Sequence, residues 1–222
     1  PAGDPYQPLP YGPSLEGQKS NDEVPTGSLD TSYVCVTDEH GNIFSSTPSD
    51  VAKDSPIIPG TGLCPSSRGS QSWAIPGHPC SVEPGKRPRL TPNPALAIRK
   101  DEFAIPFGTP GGDIQVQAML QCLLNIIEWK MDPQQSDEAP RFGSYSFPDS
   151  FEPHDYHPGK LMIESKLHDG VYTELNGLGH LTEDWPNLTW KAGAVCMIYS
   201  DLKSGIQTAG ADPRRPTYAV GW

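Results

Sequence analysis

Proline and glycine are the residues that most restrict the folds open to this chain. It has 26 prolines and 22 glycines among 222 residues, and both residue types interrupt the interior of helices and strands. Short elements joined by many rigid turns are therefore expected, and a bundle of long helices is excluded. The length suffices for one sizeable domain or two small ones.

The charge balance excludes several classes of function. Lys and Arg number 16 against 27 for Asp and Glu, which gives a net charge of −11 and a pI near 4.8. Such a surface repels phosphate backbones, so nucleic acid is not an expected partner. No apolar run approaches the length that crosses a bilayer, so a membrane is not an expected partner either.

The cysteines give no sign of a metal site. There is no CxxC pair and no close cluster of Cys and His, so a structural zinc site is not expected. The odd number favours reduced thiols, although a Cys64–Cys80 bridge stays open. The compartment also stays open, with the cytoplasm slightly favoured over the periplasm. The five cysteines are Cys35, Cys64, Cys80, Cys122 and Cys196.

The hydrophobic pattern predicts an α+β organisation that begins after residue 30. Residues 1–30 hold six prolines and four glycines and are interpreted as an extended linker. Residues 48–95 are predicted to be irregular, and ordered loops of that length usually carry function. Strands are predicted at 33–37, 43–46, 95–99, 102–105, 161–164, 194–199 and 205–209, the first two forming a hairpin.

One strong helix is predicted, from about Asp113 to Met131. Its sequence leaves little polar surface, so we expect it to be buried between other elements. Shorter helices are predicted at 134–139 and 171–178.

Thr31 lies where the linker composition stops and the first strand begins. Its hydroxyl is a weak nucleophile while the residue is inside a chain. If the Asp30–Thr31 bond is cut, Thr31 gains an α-amino group with a pKa of roughly 8, which can act as the base for its own hydroxyl. From the residues alone, a threonine that merely starts a strand is the commoner case.

A glycine turn opens the strong helix, with the sequence Gly108-Thr109-Pro110-Gly111-Gly112. Backbone N–H groups at a helix start are unsatisfied, and glycines let a substrate oxygen approach them closely. These are the properties of an oxyanion hole. An ordinary turn, with Asp113 favourably placed at the helix dipole, is the alternative.

Several motifs in the same order give the chain a resemblance to a known family. They are Thr31-Ser32-Tyr33, Asp38-Glu39-His40-Gly41-Asn42, Lys86-Arg87-Pro88, the glycine turn, Met131-Asp132-Pro133, Asp137-Glu138-Ala139-Pro140-Arg141-Phe142 and Ala211-Asp212-Pro213-Arg214. On these motifs, residues 31–222 resemble the small subunit of the γ-glutamyltransferase family of N-terminal-nucleophile hydrolases.

The resemblance implies a fold, a maturation step and partners. The fold would be a four-layer αββα sandwich completed by a separate large subunit. The precursor would cleave itself between Asp30 and Thr31, so that residues 1–30 end the large subunit and 31–222 form the small, catalytic one. A dimer of such heterodimers is possible.

Carried over by position, the resemblance implies four catalytic residues. Thr31 becomes the nucleophile, and the amides of Gly111 and Gly112 form the oxyanion hole. Ser49 stands where the family has a threonine that hydrogen-bonds the amino group of the nucleophile. Asn42 matches a family asparagine near the hairpin turn, where a structural role is at least as plausible.

The departures from the family pattern concern the substrate. Glutamyl-specific members hold the substrate with an asparagine, an Asn-Asn-Gln-Met-Asp-Asp loop and a Ser-Ser pair; here these places read Val51, Ser66–Gln71 and Leu90-Thr91. Gln71 replaces the aspartate that pairs with a substrate ammonium, and Arg68 adds a cation suited to a carboxylate.

The sequence therefore predicts an amidohydrolase for a small carboxylate-bearing amide. The substrate would be oxamate-like, with Arg68, Gln71 and Thr91 as binding residues, because oxamate amidohydrolases of the family resemble this chain in the same loop. A γ-glutamyltransferase or glutathione hydrolase is one alternative. A non-catalytic scaffold subunit, in which Thr31 never becomes N-terminal, is the other.

Overall fold

The computed structural model describes residues 31–49, 56–165 and 169–222. The predicted linker 1–30, including Asp30, and the substrate position Val51 lie outside these residues. The chain divides into two compact units. Within the described residues the smaller unit comprises 56–90 and 148–156, and the larger comprises 31–49, 91–147, 157–165 and 169–222.

The larger unit contains three sheets and three α-helices. Its strands are β1 (Val34–Thr37), β2 (Ile43–Ser46), β3 (Ala95–Arg99), β4 (Phe103–Gly108), β5 (Phe142–Ser144), β6 (Lys160–Glu164), β7 (Leu181–Trp185), β8 (Cys196–Asp201) and β9 (Gln207–Ala211). Its helices are α1 (Ile114–Ile127), α2 (Pro133–Glu138) and α3 (Asp169–Gly177). The strand orders are β1-β2, β3-β4-β8-β9 and β5-β6-β7.

Strand β4 is the centre of the larger unit, and all six of its residues are buried. Its alternate residues Phe103, Ile105 and Phe107 pack with the buried face of α1. Because side chains alternate across a strand, the intervening residues face the other side of the sheet. That core also includes Ala118, Met119, Cys122, Ile126, Val195 and Met197.

The β1-β2 hairpin lies against this second face of the sheet. The ring of Tyr33 covers Gly108 so closely that a Cβ there would be 2.3 Å from its Cε2 atom. The Ser45 hydroxyl donates to the carbonyl oxygen of Ala95 at 3.1 Å. Helix, sheet and hairpin thus form three successive layers, α-β-β, within the larger unit.

The second sheet, β5-β6-β7, attaches to another side of α1. Gln117 accepts from the Ser144 N–H at 2.8 Å and donates to the Ser144 carbonyl at 3.0 Å. Gln121 makes the same pair of bonds to the backbone of Phe142, at 3.1 and 2.9 Å. The two glutamine amides therefore replace a neighbouring strand along the edge of β5 and satisfy its backbone groups.

A buried cluster of charged side chains ties the C-terminal segment to the rest of the larger unit. Arg141 Nη1 lies 2.7 Å from Asp212 Oδ2. Arg214 pairs with Glu164 and, at 3.2 Å, with Asp212 Oδ1. All four side chains have at most 1% of their surface exposed. Removing one partner from such a cluster leaves an uncompensated buried charge, which is strongly destabilising.

Asp137 adjoins this cluster but has a different environment. Among the described residues, neither of its carboxylate oxygens has a hydrogen-bond partner, and the nearest guanidinium nitrogen of Arg141 is 3.9 Å away. Burial, reinforced by the negative charge of Asp212, raises the pKa of Asp137 to about 8, against the opposing effect of Arg141 and Arg214. Asp137 is therefore mostly protonated at neutral pH, which leaves two cations facing two anions.

The smaller unit has little regular structure, as the sequence predicts for residues 48–95. It contains a 3₁₀ helix at Ser67–Gln71 and an isolated bridge between Trp73 and Ser81. Trp73 lies between two imidazole rings, with centroids 4.2 Å from His78 and 3.9 Å from His154. The stack joins residues 73–81 to the 148–156 segment.

Most of the predicted elements are confirmed, with three corrections. Strands β5 and β7 were not predicted, because each is short and shows no apolar alternation. Helix α1 ends at Ile127 rather than near Met131. It is also not buried on most sides within the described structure, since Val116 and Leu120 are 65% and 57% exposed.

Two further sequence expectations can be compared with the structure. All five cysteines are free thiols, so the possible Cys64–Cys80 bridge is not formed. Within residues 31–49, 56–165 and 169–222, no helix combines the length and apolar character needed to cross a membrane.

Candidate active site

Thr31 and Ser49 meet at the open end of the β1-β2 hairpin. The Ser32 N–H donates to the Pro48 carbonyl at 2.9 Å, which continues the pairing beyond both strands. This pairing brings the Thr31 Oγ1 atom within 2.7 Å of the Ser49 Oγ atom. The sequence predicts Ser49 as a partner of the Thr31 amino group; the contact present in this structure is with the hydroxyl.

Tyr33 connects the hairpin to the strand that leads into the glycine turn. Its hydroxyl is 2.7 Å from the Ser45 Oγ atom, while its ring covers Gly108. Burial raises the pKa of the Tyr33 phenol well above its ordinary range, so Tyr33 stays neutral. Tyr33 lies two residues after Thr31, and Gly108 lies three residues before Gly111. Their contact therefore packs the start of the hairpin against the end of β4.

The glycine turn has a backbone that other residues would not readily adopt. Gly111 and Gly112 have φ angles of +139° and +62°. A Cβ atom on Gly111 would also lie 2.7 Å from the Ile114 Cγ2 atom. Glycine is therefore required here for backbone conformation as well as for space. Thr109 joins the turn to the segment before β8, because its hydroxyl accepts from the Ala194 N–H at 2.6 Å.

The two glycine amides converge on the side chain of Gln115. With its oxygen toward the turn, Gln115 accepts from the N–H groups of Gly111 at 3.2 Å and Gly112 at 3.1 Å. Its amide nitrogen then donates to the Thr91 carbonyl oxygen at 2.6 Å. The opposite orientation would set donors against donors, so the hydrogen bonds fix this one. Gln115 is only 3% exposed, and sequence reasoning did not identify it.

Asn93 completes the surroundings of Gln115. The terminal amides of the two residues are 2.6 Å apart, and the Asn93 Oδ1 atom has no other hydrogen-bond partner among the described residues. Turning the Asn93 amide sets its oxygen against the Gln115 nitrogen. Gln115 thus uses both of its amide hydrogens and joins the 91–93 segment to the glycine turn.

Two of the predicted substrate residues, Arg68 and Gln71, lie on the 3₁₀ helix of the smaller unit. The Arg68 guanidinium is 5.8 Å from the centroid of the Phe151 ring, a cation–π contact. Gln71 is fully buried. Thr91, the third predicted substrate residue, belongs to the larger unit and contacts Gln115 through its backbone carbonyl.

The histidines of the 148–156 region are not grouped as a metal site. Among the residues that the structure describes, no cluster of three or more His, Cys, Asp or Glu could hold a metal ion. His157 is exposed, whereas His154 is half-buried and stacks on Trp73. Asn42 donates to both carboxylate oxygens of Asp38 at 2.8 Å, a structural turn contact.

The buried ion pairs were foreseen only in part. The sequence predicts that Arg214 and Arg215 pair with Asp212. Arg214 does so, whereas Arg215 lies over the Trp190 ring with its guanidinium carbon 5.6 Å from the centroid. The cluster partners Arg141 and Glu164 were missed, because no spacing within the sequence links two positions that are 23 residues apart.

Comparison with known proteins gives a consistent result for nearly the whole chain. The family model described as Gamma-glutamyltranspeptidase matches residues 8–222. The glutathione hydrolase-like YwrD proenzyme of Bacillus subtilis is 30% identical over 203 residues, which cover 89% of this chain and 36% of the relative. The oxamate amidohydrolase proenzyme of Klebsiella pneumoniae is 27% identical over 175 residues, covering 75% of this chain and 30% of the relative.

Solved structures agree with the sequence comparisons. The LmbA2991T421A structure superimposes with a TM-score of 0.77 at 34% identity and covers 87% of this chain and 34% of that one. The γ-glutamyltranspeptidase of Pseudomonas nitroreducens complexed with L-DON has a TM-score of 0.62 at 20% identity, covering 86% and 97% of the two chains. The latter likeness shows the α+β fold alone.

The chain spans about a third of the length of the curated relatives it matches. Those relatives are named proenzymes, and the matched residues include the Thr31 hairpin, the glycine turn and the C-terminal ion cluster. The chain belongs to the γ-glutamyltranspeptidase family.

Proposed function

We propose that this chain forms the catalytic part of a self-processing amidohydrolase with Thr31 as the nucleophile. The observation that carries the proposal is the 2.7 Å contact between the Thr31 and Ser49 hydroxyls at the open end of the hairpin. A paired hydroxyl just before the first strand, β1, has the position that an N-terminal nucleophile needs. Family membership and the proenzyme relatives support the maturation step.

Maturation follows from the chemistry of a threonine inside a chain. The Thr31 Oγ1 atom adds to the carbonyl carbon of Asp30, and the C–N bond breaks as an ester forms and the nitrogen takes the hydroxyl proton. Water then hydrolyses the ester, which leaves a carboxylate on Asp30 and a free amine on Thr31. Ser49, already hydrogen-bonded to Oγ1, orients this oxygen.

Turnover uses the amine that maturation creates. The Thr31 amine accepts the Oγ1 proton as the oxygen adds to the substrate amide carbon. The Gly111 and Gly112 amides bind the oxygen that becomes negative; losing one such donor typically costs about 2.7–4 kcal/mol of barrier. The amine passes the proton to the departing ammonia or amine, then activates water to release the acyl group. No cofactor enters this scheme.

The proposed substrate is a small carboxylate-bearing amide such as oxamate. Arg68 supplies a guanidinium suited to a carboxylate, and Gln71 at the end of the same 3₁₀ helix is a neutral residue where glutamyl-specific relatives have an anion. Thr91 supplies a third candidate contact. The large subunit from the same precursor would complete the site and the fourth layer of the αββα sandwich.

A glutathione hydrolase is the second candidate, and the relatives favour it. The glutathione hydrolase-like relative of Bacillus subtilis is at least as similar to this chain as the oxamate amidohydrolase is, at 30% against 27% identity. The two functions differ in one requirement, since a γ-glutamyl donor carries an α-ammonium and oxamate does not.

The first experiment tests the nucleophile in the full-length protein. Mass spectrometry should find a new N-terminus at Thr31 in the parent, cleavage and turnover should be lost in Thr31→Ala, and both should be retained in part in Thr31→Ser. The exposed strand residue Thr208 offers a matched control, since Thr208→Ala should mature and turn over normally. An intact Asp30–Thr31 bond in an active parent would refute the proposal.

The second experiment separates the substrates. Ammonia release is measured with oxamate, succinamate, glutaramate and γ-glutamyl amides. Oxamate should be preferred, and Arg68→Met should raise its KM by about tenfold or more, because a hydrogen bond to a charged group contributes about 1.5–3 kcal/mol. The exposed Arg99 provides the control variant Arg99→Met. A preference for γ-glutamyl amides would establish the second candidate instead.

A further inference from the structure

The Gly111 and Gly112 amides are already bound to an oxygen of the protein itself. Both N–H groups reach the side-chain oxygen of Gln115, at 3.2 and 3.1 Å. Two donors converging on one carbonyl oxygen is the arrangement of an oxyanion hole. The structure therefore shows that this turn can hold such an oxygen, and that in this state the oxygen belongs to Gln115.

The engagement of Gln115 has a direct consequence for catalysis. An N–H that is shared between two acceptors binds each one more weakly, so a substrate oxygen cannot receive the full benefit of both amides while Gln115 stays. Resting on the proposed function, we propose that Gln115 is an internal competitor for the oxyanion hole. The reacting carbonyl oxygen displaces its amide from Gly111 and Gly112.

Gln115 has the features of a competitor held in place by a second anchor. Its nitrogen donates to the Thr91 carbonyl and lies 2.6 Å from the Asn93 amide, so the side chain stays anchored at this end when its oxygen leaves the turn. The anchor also connects the oxyanion hole to a predicted substrate-binding segment. A substrate that contacts the 91–93 segment would pull on the same side chain and so favour release of the glycine amides.

Helix α1 contains a natural comparison for Gln115. Gln117 and Gln121 also use both ends of their amides to bind backbone, but their partners lie on β5. A Gln→Met change at any of these positions removes similar hydrogen bonds at similar size. Only the change at 115 frees the glycine amides.

The test measures maturation and turnover of the full-length protein for Gln115→Met, Gln115→Glu and the control Gln121→Met. Gln115→Met should raise kcat/KM for the preferred amide by about tenfold relative to Gln121→Met, which corresponds to about 1.4 kcal/mol. Gln115→Glu should lower it, because a carboxylate binds two N–H groups more strongly than a neutral amide does. Melting temperatures of all three variants report any loss of folding.

The outcomes separate this inference from the proposed function. If Gln115→Met falls to or below the Gln121→Met value while its melting temperature matches that control, the competitor role is refuted and the amide serves only as a fixed support. If Gln115→Met has a lowered melting temperature, Gln115→Asn is measured instead, because its side chain is too short to reach the turn. Gln115→Asn must then give the same rise in kcat/KM, or the inference fails. Loss of the proposed function would appear separately, as cleavage and turnover that persist in Thr31→Ala.

Discussion

The charge state of the buried cluster gives the most quantitative prediction. Asp137 has a pKa raised to about 8 by burial and by Asp212, whereas its ordinary value is 3.8. Between these two values the folded protein keeps a proton that the unfolded chain releases. The contribution of Asp137 to the free energy of unfolding is therefore fully present below pH 3.8 and is lost as the pH rises through 8.

The size of the effect follows from proton linkage. When the folded state holds one proton that the unfolded chain has released, the free energy of unfolding falls by about 1.4 kcal/mol for each unit by which the pH rises. From pH 4.5 to 7.5 the loss reaches up to about 4 kcal/mol, a large share of the roughly 5–15 kcal/mol that stabilises a typical domain. In Asp137→Asn the side chain has the shape of the protonated acid and cannot ionise, so this loss should disappear.

The assay is urea unfolding of the parent and the variant across this pH range. The parent should lose stability relative to Asp137→Asn as the pH rises, and the two curves should approach each other toward pH 4.5. Asp184→Asn, the same chemical change at an exposed position on β7, should track the parent throughout. Parallel curves for the parent and Asp137→Asn would show that Asp137 is ionised in the folded protein and would refute the reasoning.

Two further predictions concern packing and thiol chemistry. Gly108→Ala sets a methyl group against the Tyr33 ring, which should cost about 1–3 kcal/mol and slow cleavage at the hairpin; an unchanged melting temperature and cleavage rate would contradict the packing. In the folded protein, a thiol reagent should modify the exposed Cys64 and spare Cys122, which is buried and has a pKa raised to about 11. Mass spectrometry of labelled peptides measures both thiols, and equal labelling rates would contradict the burial.

The elements that sequence reasoning located share one property, a strong local signal. The β1-β2 hairpin and β4 are rich in β-branched and aromatic residues, and α1 carries a run of apolar residues. β5 has only three residues. Its backbone pairs with β6 on one side and with the Gln117 and Gln121 amides on the other. β7 reads Leu-Thr-Glu-Asp-Trp and is a strand because β6 offers a partner. Both depend on tertiary contacts that no local pattern contains.

The exposed side of α1 illustrates a similar limit. An apolar helix predicts burial, but the sequence does not say by which chain. Val116 and Leu120 are more than half exposed within the described structure, while this chain covers about a third of its curated relatives. The pattern that predicts a buried helix is thus compatible with a cover supplied by the remainder of a longer protein.

The candidate site was predictable where motifs carry it. Thr31, Ser49 and the two glycines are predicted from the motifs shared with the family, and their catalytic roles stay predictions. The structure places the Thr31 and Ser49 hydroxyls 2.7 Å apart. No sequence pattern distinguishes Gln115, because a glutamine in the first turn of a helix is common. Its meaning comes from the positive φ angles of Gly111 and Gly112, which turn two amides toward the same point.

The glycine turn also shows why a motif is insufficient to define a catalytic pocket. Gly-Gly fixes where two amides lie, but the oxygen that they bind depends on the neighbouring side chains. Here the residue three positions after the second glycine supplies that oxygen. If the turn is the proposed oxyanion hole, its strength depends on how easily Gln115 leaves. Variation at this position would therefore change the rate of amide cleavage in a protein whose nucleophile and glycines stay the same. Differences in activity among relatives with the same turn should be sought at the position of Gln115 and at its anchor in the 91–93 segment.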